Sequence, residues 1–303
     1  MSVEVSKEKV RKGLSDYQIK MLFILPTIIL LILMNVFPLI WSLYLSFCDY
    51  SAMREAAPVP VGVANYGGVL GDQEPWRKFT TTAIFVVCAV ALEFAIGFGL
   101  ALLLNRPFKG KGLVVTLFLV PMMLSPVIVG LFWKFLLDPS FGLINFILDK
   151  IFGIKHLVWL THPKMAMVSL IIVDAWMWSP FMMLISLAGL SAVPSHLYEA
   201  AEVDRASGWF KFKEITLPLI SPLLLLALLF RTIDAFKLFD LAYVLTAGGP
   251  GTATETASLY LYHLAFQKWD TGFSCAFAYI LLVVVIGLSN IYIRYLNAMQ
   301  ARV

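Results

Sequence analysis

Long apolar stretches alternate with shorter polar ones along the whole chain. A helix needs roughly 20 mostly apolar residues to cross a bilayer, and six stretches reach about that length. These stretches cover residues 21–48, 80–105, 112–137, 165–190, 217–245 and 271–296. The pattern predicts an all-α, polytopic protein whose six transmembrane helices occupy residues 21–296. The segments 1–20 and 297–303 are the expected polar tails, and the longest strongly polar loop is 191–216.

The composition agrees with one membrane domain. Hydrophobic residues make up 60% of the 303 positions and charged residues 14%, which is too apolar for a soluble domain. The stretch 21–48 is too long for the core of a signal peptide, so we expect it to remain as the first membrane helix. Cys48, Cys88 and Cys275 form an odd, scattered set, which argues against a disulfide framework.

Lysine and arginine residues in the loops predict the orientation, because cytoplasmic loops carry the excess of positive charge. The side that holds both tails and the loop 191–216 has 13 of these residues, against 7 on the other side. The seven are Arg54, Arg77, Lys78, Lys150, Lys155, Lys164 and Lys268. We therefore expect both termini and the loop 191–216 to be cytoplasmic. The formal net charge of +4 needs no nucleic acid to explain it.

The loop 191–216 has the pattern of a docking element. Ser195 is placed to cap a short helix, and Glu199 and Glu202 fall early in that helix, where the helix dipole favours negative charge. Ala200 and Ala201 lie near one face and would let another surface approach closely. Further along, Ser207 and Gly208 supply a break, and Pro218 suits the first turn of the next membrane helix.

This loop resembles the EAA loop of the membrane subunits of binding-protein-dependent ABC importers. The family pattern is Glu-Ala-Ala, then Asp-Gly-Ala, then Ile-x-Leu-Pro. The matching residues are Glu199, Ala200, Ala201, Asp204, Ala206, Ile215, Leu217 and Pro218. Arg205 stands where the family usually has glycine, which weakens the case for a tight turn there and leaves Gly208 as a source of flexibility. The resemblance implies that this segment couples the subunit to an ATPase.

Four charged residues follow one another at intervals of three in the fifth apolar stretch: Arg231, Asp234, Lys237 and Asp240. An ionisable residue in the bilayer costs roughly 2.5–3.5 kcal/mol on insertion scales, so each is a functional candidate. The set is either a self-neutralising structural ladder or the lining of a transport path. Because a step of three residues turns about 300° on a helix, the four cannot all face one cavity. We therefore expect some of them to hold neighbouring helices and the others to contact solute. Glu93 and Asp174, in other stretches, are expected to find partners inside the bundle.

Aromatic residues lie among these charges, and aromatic faces beside hydrogen-bonding groups suit polyhydroxylated ligands. The tentative substrate path comprises Arg231, Asp234, Lys237, Asp240, Phe230, Tyr243, Trp178 and Asp174. The run from Phe230 to Ala235 also resembles the Phe-Arg-Thr-x-Asp-Ala signature of carbohydrate permeases. The segment 240–251, with its Gly-Gly-Pro-Gly turn, resembles the same branch.

Motor and catalytic motifs are absent from the sequence. No G-x-x-x-x-G-K-[ST] loop occurs, so ATP hydrolysis is expected on a separate chain and no catalytic residue is assigned here. His156, His162, His196 and His263 show no metal-ligand spacing, and no metal site is expected.

The resemblance therefore implies a permease subunit of a carbohydrate importer in a bacterial inner membrane. Its implied partners are a second related permease, two ATPase subunits that hold ATP and Mg²⁺, an extracytoplasmic solute-binding protein and membrane lipid. Glycerol phosphate or another anionic sugar derivative is the alternative cargo. An ATP-independent channel or secondary carrier is the alternative of another class.

Overall fold

The computed structural model describes residues 15–54, 57–154 and 157–300, and this part of the chain is almost entirely helical. A single antiparallel pair, β1 (Cys48–Asp49) with β2 (Val59–Pro60), supplies the strands. Three π-helical segments are continuous with α-helices: Ile32–Val36 and Lys211–Thr216 join two helices each, and His263–Gln267 ends one. The helices are α1 (Asp16–Leu31), α2 (Phe37–Ser46), α3 (Ala64–Gly71), α4 (Gln73–Leu104), α5 (Lys111–Met123), α6 (Pro126–Leu136), α7 (Leu143–Phe152), α8 (Pro163–Ala192), α9 (Ser195–Val203), α10 (Gly208–Phe210), α11 (Leu217–Phe236), α12 (Asp240–Leu245), α13 (Ala257–Tyr262) and α14 (Thr271–Gln300).

The predicted fold class, an all-α polytopic membrane protein, is confirmed. Five helices in the described residues are long and apolar enough to cross a membrane, and the bent pair α5–α6 brings the number to six. The five are Tyr17–Ser46, Gln73–Leu104, Pro163–Ala192, Gly208–Phe236 and Thr271–Met299. Most of the predicted N-terminal tail, residues 1–14, and positions 301–303 lie outside the described part of the chain.

The third apolar stretch is not one continuous helix, contrary to the prediction over 112–137. It is divided into α5 and α6, which meet at an angle of 94°. Ser125 precedes Pro126 and has an extended backbone with ψ of 136°. A proline disfavours helical geometry at the residue before it, so the helix breaks at this point.

The fifth apolar stretch is also interrupted, contrary to the prediction over 217–245. The helix α11 ends at Phe236 and α12 begins at Asp240. Thr256 donates from its hydroxyl to the Leu238 carbonyl at 3.0 Å, and Ser258 donates to the Phe236 carbonyl at 3.1 Å. These two hydroxyls bind carbonyls that lose their helical partners, which a membrane interior otherwise penalises.

Two glycines mark close contacts between helices of the bundle. On α6, a Cβ added to Gly130 would lie 3.0 Å from Val244 Cγ1, so α6 and α12 approach closely at this glycine. On α4, a Cβ added to Gly97 would lie 2.5 Å from the Ser179 carbonyl oxygen, so α4 and α8 also pack closely. The main core cluster lies among α4, α8, α11 and α12.

The first membrane helix lies apart from this core. Every side chain from Tyr17 to Trp41 is exposed within the single chain. Its C-terminal half contacts α14, where the Tyr279 hydroxyl donates to the Leu39 carbonyl at 2.5 Å. This helix therefore presents a long apolar surface that the described part of the chain does not cover.

Like its neighbour Arg77, Lys78 lies in a helix and not in a loop, contrary to the prediction from the sequence. It belongs to α4, is 2% exposed, and its Nζ lies 2.5 Å from Glu255 Oε2. The three cysteines are free, as expected.

Candidate functional site

The loop between α8 and α11 folds as two short helical arms. The first arm, α9, begins at Ser195 and its N-cap is Pro194. The prediction that Ser195 caps this helix is wrong, because Pro194 keeps the extended conformation and Ser195 is already helical. The second arm begins with Ser207, whose hydroxyl accepts from the Phe210 N–H at 3.2 Å.

The turn between the two arms is made at Arg205. The Ala206 N–H donates to the Ala201 carbonyl at 2.8 Å, and the Arg205 N–H donates to the Glu202 carbonyl at 3.0 Å. These two bonds form a Schellman motif, in which the residue after the C-cap takes a left-handed conformation and is usually glycine. Here that residue is Arg205, with φ of 53°. The turn is therefore tight despite the arginine, and Gly208, whose φ is not positive, does not replace it.

Side chains join the two arms. Lys211 Nζ lies 2.9 Å from Glu202 Oε1, and the hydroxyls of Tyr198 and Thr216 are 2.8 Å apart. The second arm continues through the π-helical segment into α11, so that Gly208–Phe236 form one long helical unit of 29 residues. The loop is thus a folded unit attached directly to a membrane helix.

A groove of about 490 Å³ opens on the face of this loop. Its lining is Leu197, Ala200, Ala201, Asp204, Ala206, Ser207, Phe210 and Ile215. Ala200, Ala201, Asp204 and Ile215 from the predicted coupling set are thus brought together. The other members, Glu199, Arg205, Gly208, Leu217 and Pro218, are exposed and lie outside the groove.

Large apolar side chains near the groove are left uncovered. The exposed fraction is 84% for Val203, 69% for Trp209 and 52% for Phe210. A small-residue groove bordered by exposed apolar groups has the surface of a docking site for another protein.

The second candidate region is a cluster of charges buried among α4, α8 and α11. Arg231 donates from Nε to Glu93 Oε2 at 2.7 Å and from Nη2 to Glu93 Oε1 at 3.0 Å. Nη2 also donates to Asp174 Oδ2, and Nη1 donates to Asp234 Oδ2 at 3.0 Å. The side chains of Arg231, Glu93 and Asp174 are at most 2% exposed, while that of Asp234 is 57% exposed. The expectation that Glu93 and Asp174 have partners inside the bundle is confirmed.

Trp178 covers one face of the guanidinium. The centre of its ring lies 5.0 Å from Arg231 Cζ, which is a cation–π distance. Arg231 therefore links three membrane helices and carries an aromatic cover.

A cavity of about 120 Å³ borders this cluster. Its lining is Pro126, Asp174, Met177, Trp178, Arg231, Asp234, Lys237, Leu238, Phe239, Asp240 and Leu241. All four members of the predicted ladder thus border one cavity. The prediction that the four cannot face one cavity is wrong, because the helix is interrupted: α11 ends at Phe236, before Lys237, and α12 begins at Asp240.

Two predicted path residues lie elsewhere. Phe230 is 56% exposed and does not border the cavity. Tyr243 stacks on Phe239, with ring centres 5.5 Å apart, and is also absent from the lining. The sequence did not predict that Glu93 accepts two hydrogen bonds from Arg231. The isolation of Glu93 in an apolar stretch indicated only that it needs a cationic or hydrogen-bonding partner.

A further polar cluster, which the sequence did not predict, lies where the N-terminal part of α4 meets the start of α13. Glu255 accepts from Lys78 on one oxygen, and its other oxygen lies 2.6 Å from His263 Nδ1. The Thr82 hydroxyl accepts from the Ala257 N–H at 2.8 Å. These contacts attach the segment that follows the Gly-Gly-Pro-Gly turn to α4. Within the described residues, no group of three or more His, Cys, Asp or Glu side chains is placed to hold a metal ion.

Comparison with known proteins adds three findings. Residues 93–301 match the family described as binding-protein-dependent transport system inner membrane component. The chain is 36% identical to the trehalose/maltose transport system permease protein MalF of Thermococcus litoralis, covering 95% of this chain and 96% of that one. It is 33% identical to the sulfoquinovosyl glycerol transport system permease protein SmoG of Agrobacterium fabrum, covering 94% and 92%.

Solved structures resemble the fold over nearly its full length. A chain of a bacterial alginate ABC transporter, in complex with an alginate pentasaccharide-bound periplasmic protein, matches with a TM-score of 0.79 and 24% identity. The match covers 94% of each chain. The fold of this chain is therefore that of an ABC transporter membrane subunit.

Proposed function

The chain belongs to the binding-protein-dependent transport system inner membrane components, and from that premise we propose that it conducts a carbohydrate through an ATP-driven importer. It is a multi-pass membrane transport subunit and not an enzyme. The proposal has two parts, a docking loop for an ATPase and a polar passage through the bundle.

The proposed docking of an ATPase rests on the groove at Ala200 and Ala201. Alanine and serine side chains line part of this groove, exposed apolar side chains border it, and Glu199 is exposed beside it. A helix of a partner ATPase can approach the loop closely there. ATP and Mg²⁺ are then held by two ATPase subunits, since this sequence has no nucleotide-binding loop. The uncovered first helix offers an apolar surface to a second permease subunit and to lipid.

The long helical unit connects the two regions. Gly208–Phe236 measure about 43 Å at 1.5 Å per residue, and they carry the second arm of the loop at one end and Arg231 near the other. A displacement of the loop by ATPase closure is therefore transmitted to the bonds between Arg231 and the helices α4 and α8. The π-helical segment 211–216 lies between them, and such segments are frequent at functional sites.

The proposed polar passage for the solute is supported by the two interrupted helices, α5–α6 and α11–α12. Transporters commonly build solute sites from interrupted membrane helices. Here the interruption brings carboxylates, Lys237 and the rings of Trp178 and Phe239 to one cavity. Carboxylates accept from hydroxyls and aromatic faces stack on C–H groups, which is the chemistry a carbohydrate requires. MalF, which covers nearly the whole chain, is named for trehalose and maltose.

An anionic sugar derivative is the second candidate cargo. Lys237 borders the cavity and forms no ion pair within the described residues, and SmoG is named for a sulfoquinovosyl compound. A channel or secondary carrier has no need of the docking loop, and family membership argues against it.

The orientation proposed for the importer places both termini and the loop 191–216 in the cytoplasm. The ammonium group of Lys78 is buried in an ion pair, so Lys78 does not count as a positively charged residue of the outer loops. Without it, the excess of lysine and arginine on the cytoplasmic side is larger, which supports this orientation. The solute-binding protein then delivers its load on the opposite side.

A complementation experiment tests this function. A strain that lacks this chain receives either the wild-type gene or the Glu199→Lys variant, and uptake of a panel of labelled sugars and sugar phosphates is measured. We expect the wild type to restore ATP-dependent uptake of at least one carbohydrate and to co-purify with an ATPase, and the variant to remain in the membrane without restoring uptake. Uptake that persists without ATP or a bound ATPase would contradict the proposal.

A further inference from the structure

The cavity beside Arg231 carries information on the charge of the solute. We infer that this cavity discriminates against anions, so that the solute crossing this subunit is uncharged or cationic at this point. The inference rests on the proposed transport function and adds the charge class of the cargo.

Arg231, the obvious receptor for an anion, is already occupied. A guanidinium has five N–H groups, and Arg231 uses four of them on Glu93, Asp174 and Asp234. Trp178 covers one of its faces at 5.0 Å. An incoming carboxylate, sulfonate or phosphate would have to compete with these three carboxylates for the cation.

Among the charged side chains that border the cavity, carboxylates outnumber cations. Asp174, Asp234 and Asp240 border it against Arg231 and Lys237. Lys237 follows Asp234 by three residues and precedes Asp240 by three. Each ionised carboxylate raises the energy of an anion in the cavity and lowers that of a cation, more strongly than in bulk water.

Asp174, a residue of the lining, has one carboxylate oxygen that needs a hydrogen-bond donor. Asp174 is fully buried and borders the cavity, and its Oδ1 has no hydrogen-bond partner within the described residues. A buried carboxylate oxygen left without a donor is costly. A sugar hydroxyl, a water molecule or a cation satisfies this oxygen, whereas an anionic group repels it. The unpartnered oxygen and the charge balance thus favour the same class of solute.

The test measures the electrostatic potential of the cavity without using a solute. Phe239→Cys is introduced in a variant whose three native cysteines are replaced, and the assembled complex is treated with methanethiosulfonate reagents that carry either an ammonium or a sulfonate group. After correction for their rates with a free thiol, we expect the cationic reagent to react about tenfold faster than the anionic one.

Matched variants assign the effect to the named charges. Asp234→Asn with Asp240→Asn is expected to reduce the ratio toward one, and Lys237→Gln is expected to increase it. Thr252→Cys, at an exposed position outside the cavity, serves as a control with a ratio near that of a free thiol. Equal or faster reaction of the anionic reagent at position 239 would overturn the inference, and so would the absence of reaction with both reagents, because the cavity would then be closed to solutes.

The result is separable from that of the proposed function. If the labelling ratio is inverted while carbohydrate uptake still requires ATP, the charge inference fails and the transport function stands. If uptake does not require ATP while the ratio remains high, the transport proposal fails and the electrostatic inference stands.

Discussion

The docking loop and the Arg231 cluster differ in how their charged groups are held. In the loop, Lys211 binds Glu202 at the surface, where the carboxylate is 69% exposed, and Glu199 is exposed. In the cluster, Arg231 binds two carboxylates that are essentially inaccessible to solvent. The exposed charges of the loop are accessible to another protein, as the proposed docking role requires, whereas the buried charges of the cluster connect three helices of this chain. The following predictions separate these two uses of charge.

The largest effect is expected from Arg231→Ala. It leaves Glu93 and Asp174 buried without their cation, and removal of one member of a buried ion pair costs about 3–5 kcal/mol. We expect the subunit to be nearly lost from membranes, as measured by immunoblotting. Asp234→Ala, which removes the exposed partner, serves as the control and should retain most of the protein. Normal abundance of the Arg231 variant would show that the cluster does not stabilise the bundle.

A large effect of a different kind is expected from Ala200→Trp. The new ring fills the groove without disturbing the membrane helices, and overpacking of a close contact costs about 1–3 kcal/mol. We expect uptake to fall at least about tenfold with little change in protein abundance. Glu214→Trp, an exposed position of the same loop outside the groove, should have a much smaller effect. Uptake near the wild-type level in the Ala200 variant would remove the docking role of the groove.

Arg205→Gly should stabilise the turn. A non-glycine residue in the left-handed region costs about 1–2 kcal/mol, and glycine avoids most of this cost. We expect amide hydrogen exchange at Ala206 and its neighbours to slow by a few-fold. Gly208→Ala is the matched control, because Gly208 is not left-handed and an added Cβ meets nothing within 4 Å. Faster exchange in the Arg205 variant would contradict the strain assigned to this residue.

The smallest effect is expected from Lys211→Met. Its ion pair with Glu202 is solvent-exposed, and such pairs contribute about 0–1 kcal/mol. Abundance and uptake should remain close to wild type. A loss comparable with that of Arg231→Ala would erase the distinction between the two regions.

The sequence predicts the loop better than the cluster, for a physical reason. The loop depends on local spacing, so its position, its small-residue face and the break near Ser207 follow from neighbouring residues. The exceptions are also local in origin: Pro194 displaces the expected cap at Ser195, and a Schellman motif places Arg205 in the left-handed region. An arginine at a position that is usually glycine does not indicate, from the sequence, that the tight turn is still formed.

The cluster depends on contacts between residues far apart in sequence. Arg231 and Glu93 are separated by 138 positions, and no local pattern reports that they meet. The break after Phe236 was also not predictable, because the hydroxyls that bind its free carbonyls come from Thr256 and Ser258 on another element. The bend at Ser125 is the exception, since Pro126 supplied a local signal.

The most direct test of the central claim, that the loop 191–216 is the cytoplasmic docking site of an ATPase, is thiol labelling at Ser207. Ser207→Cys and Thr161→Cys are prepared separately in a background without the native cysteines, and an impermeant thiol reagent is applied to intact cells and to inverted vesicles. We expect position 161 to be labelled only in intact cells. We expect position 207 to be labelled only in inverted vesicles, and mainly after the ATPase has been removed from them. Labelling of position 207 in intact cells, or equal labelling with and without the ATPase, would contradict the claim.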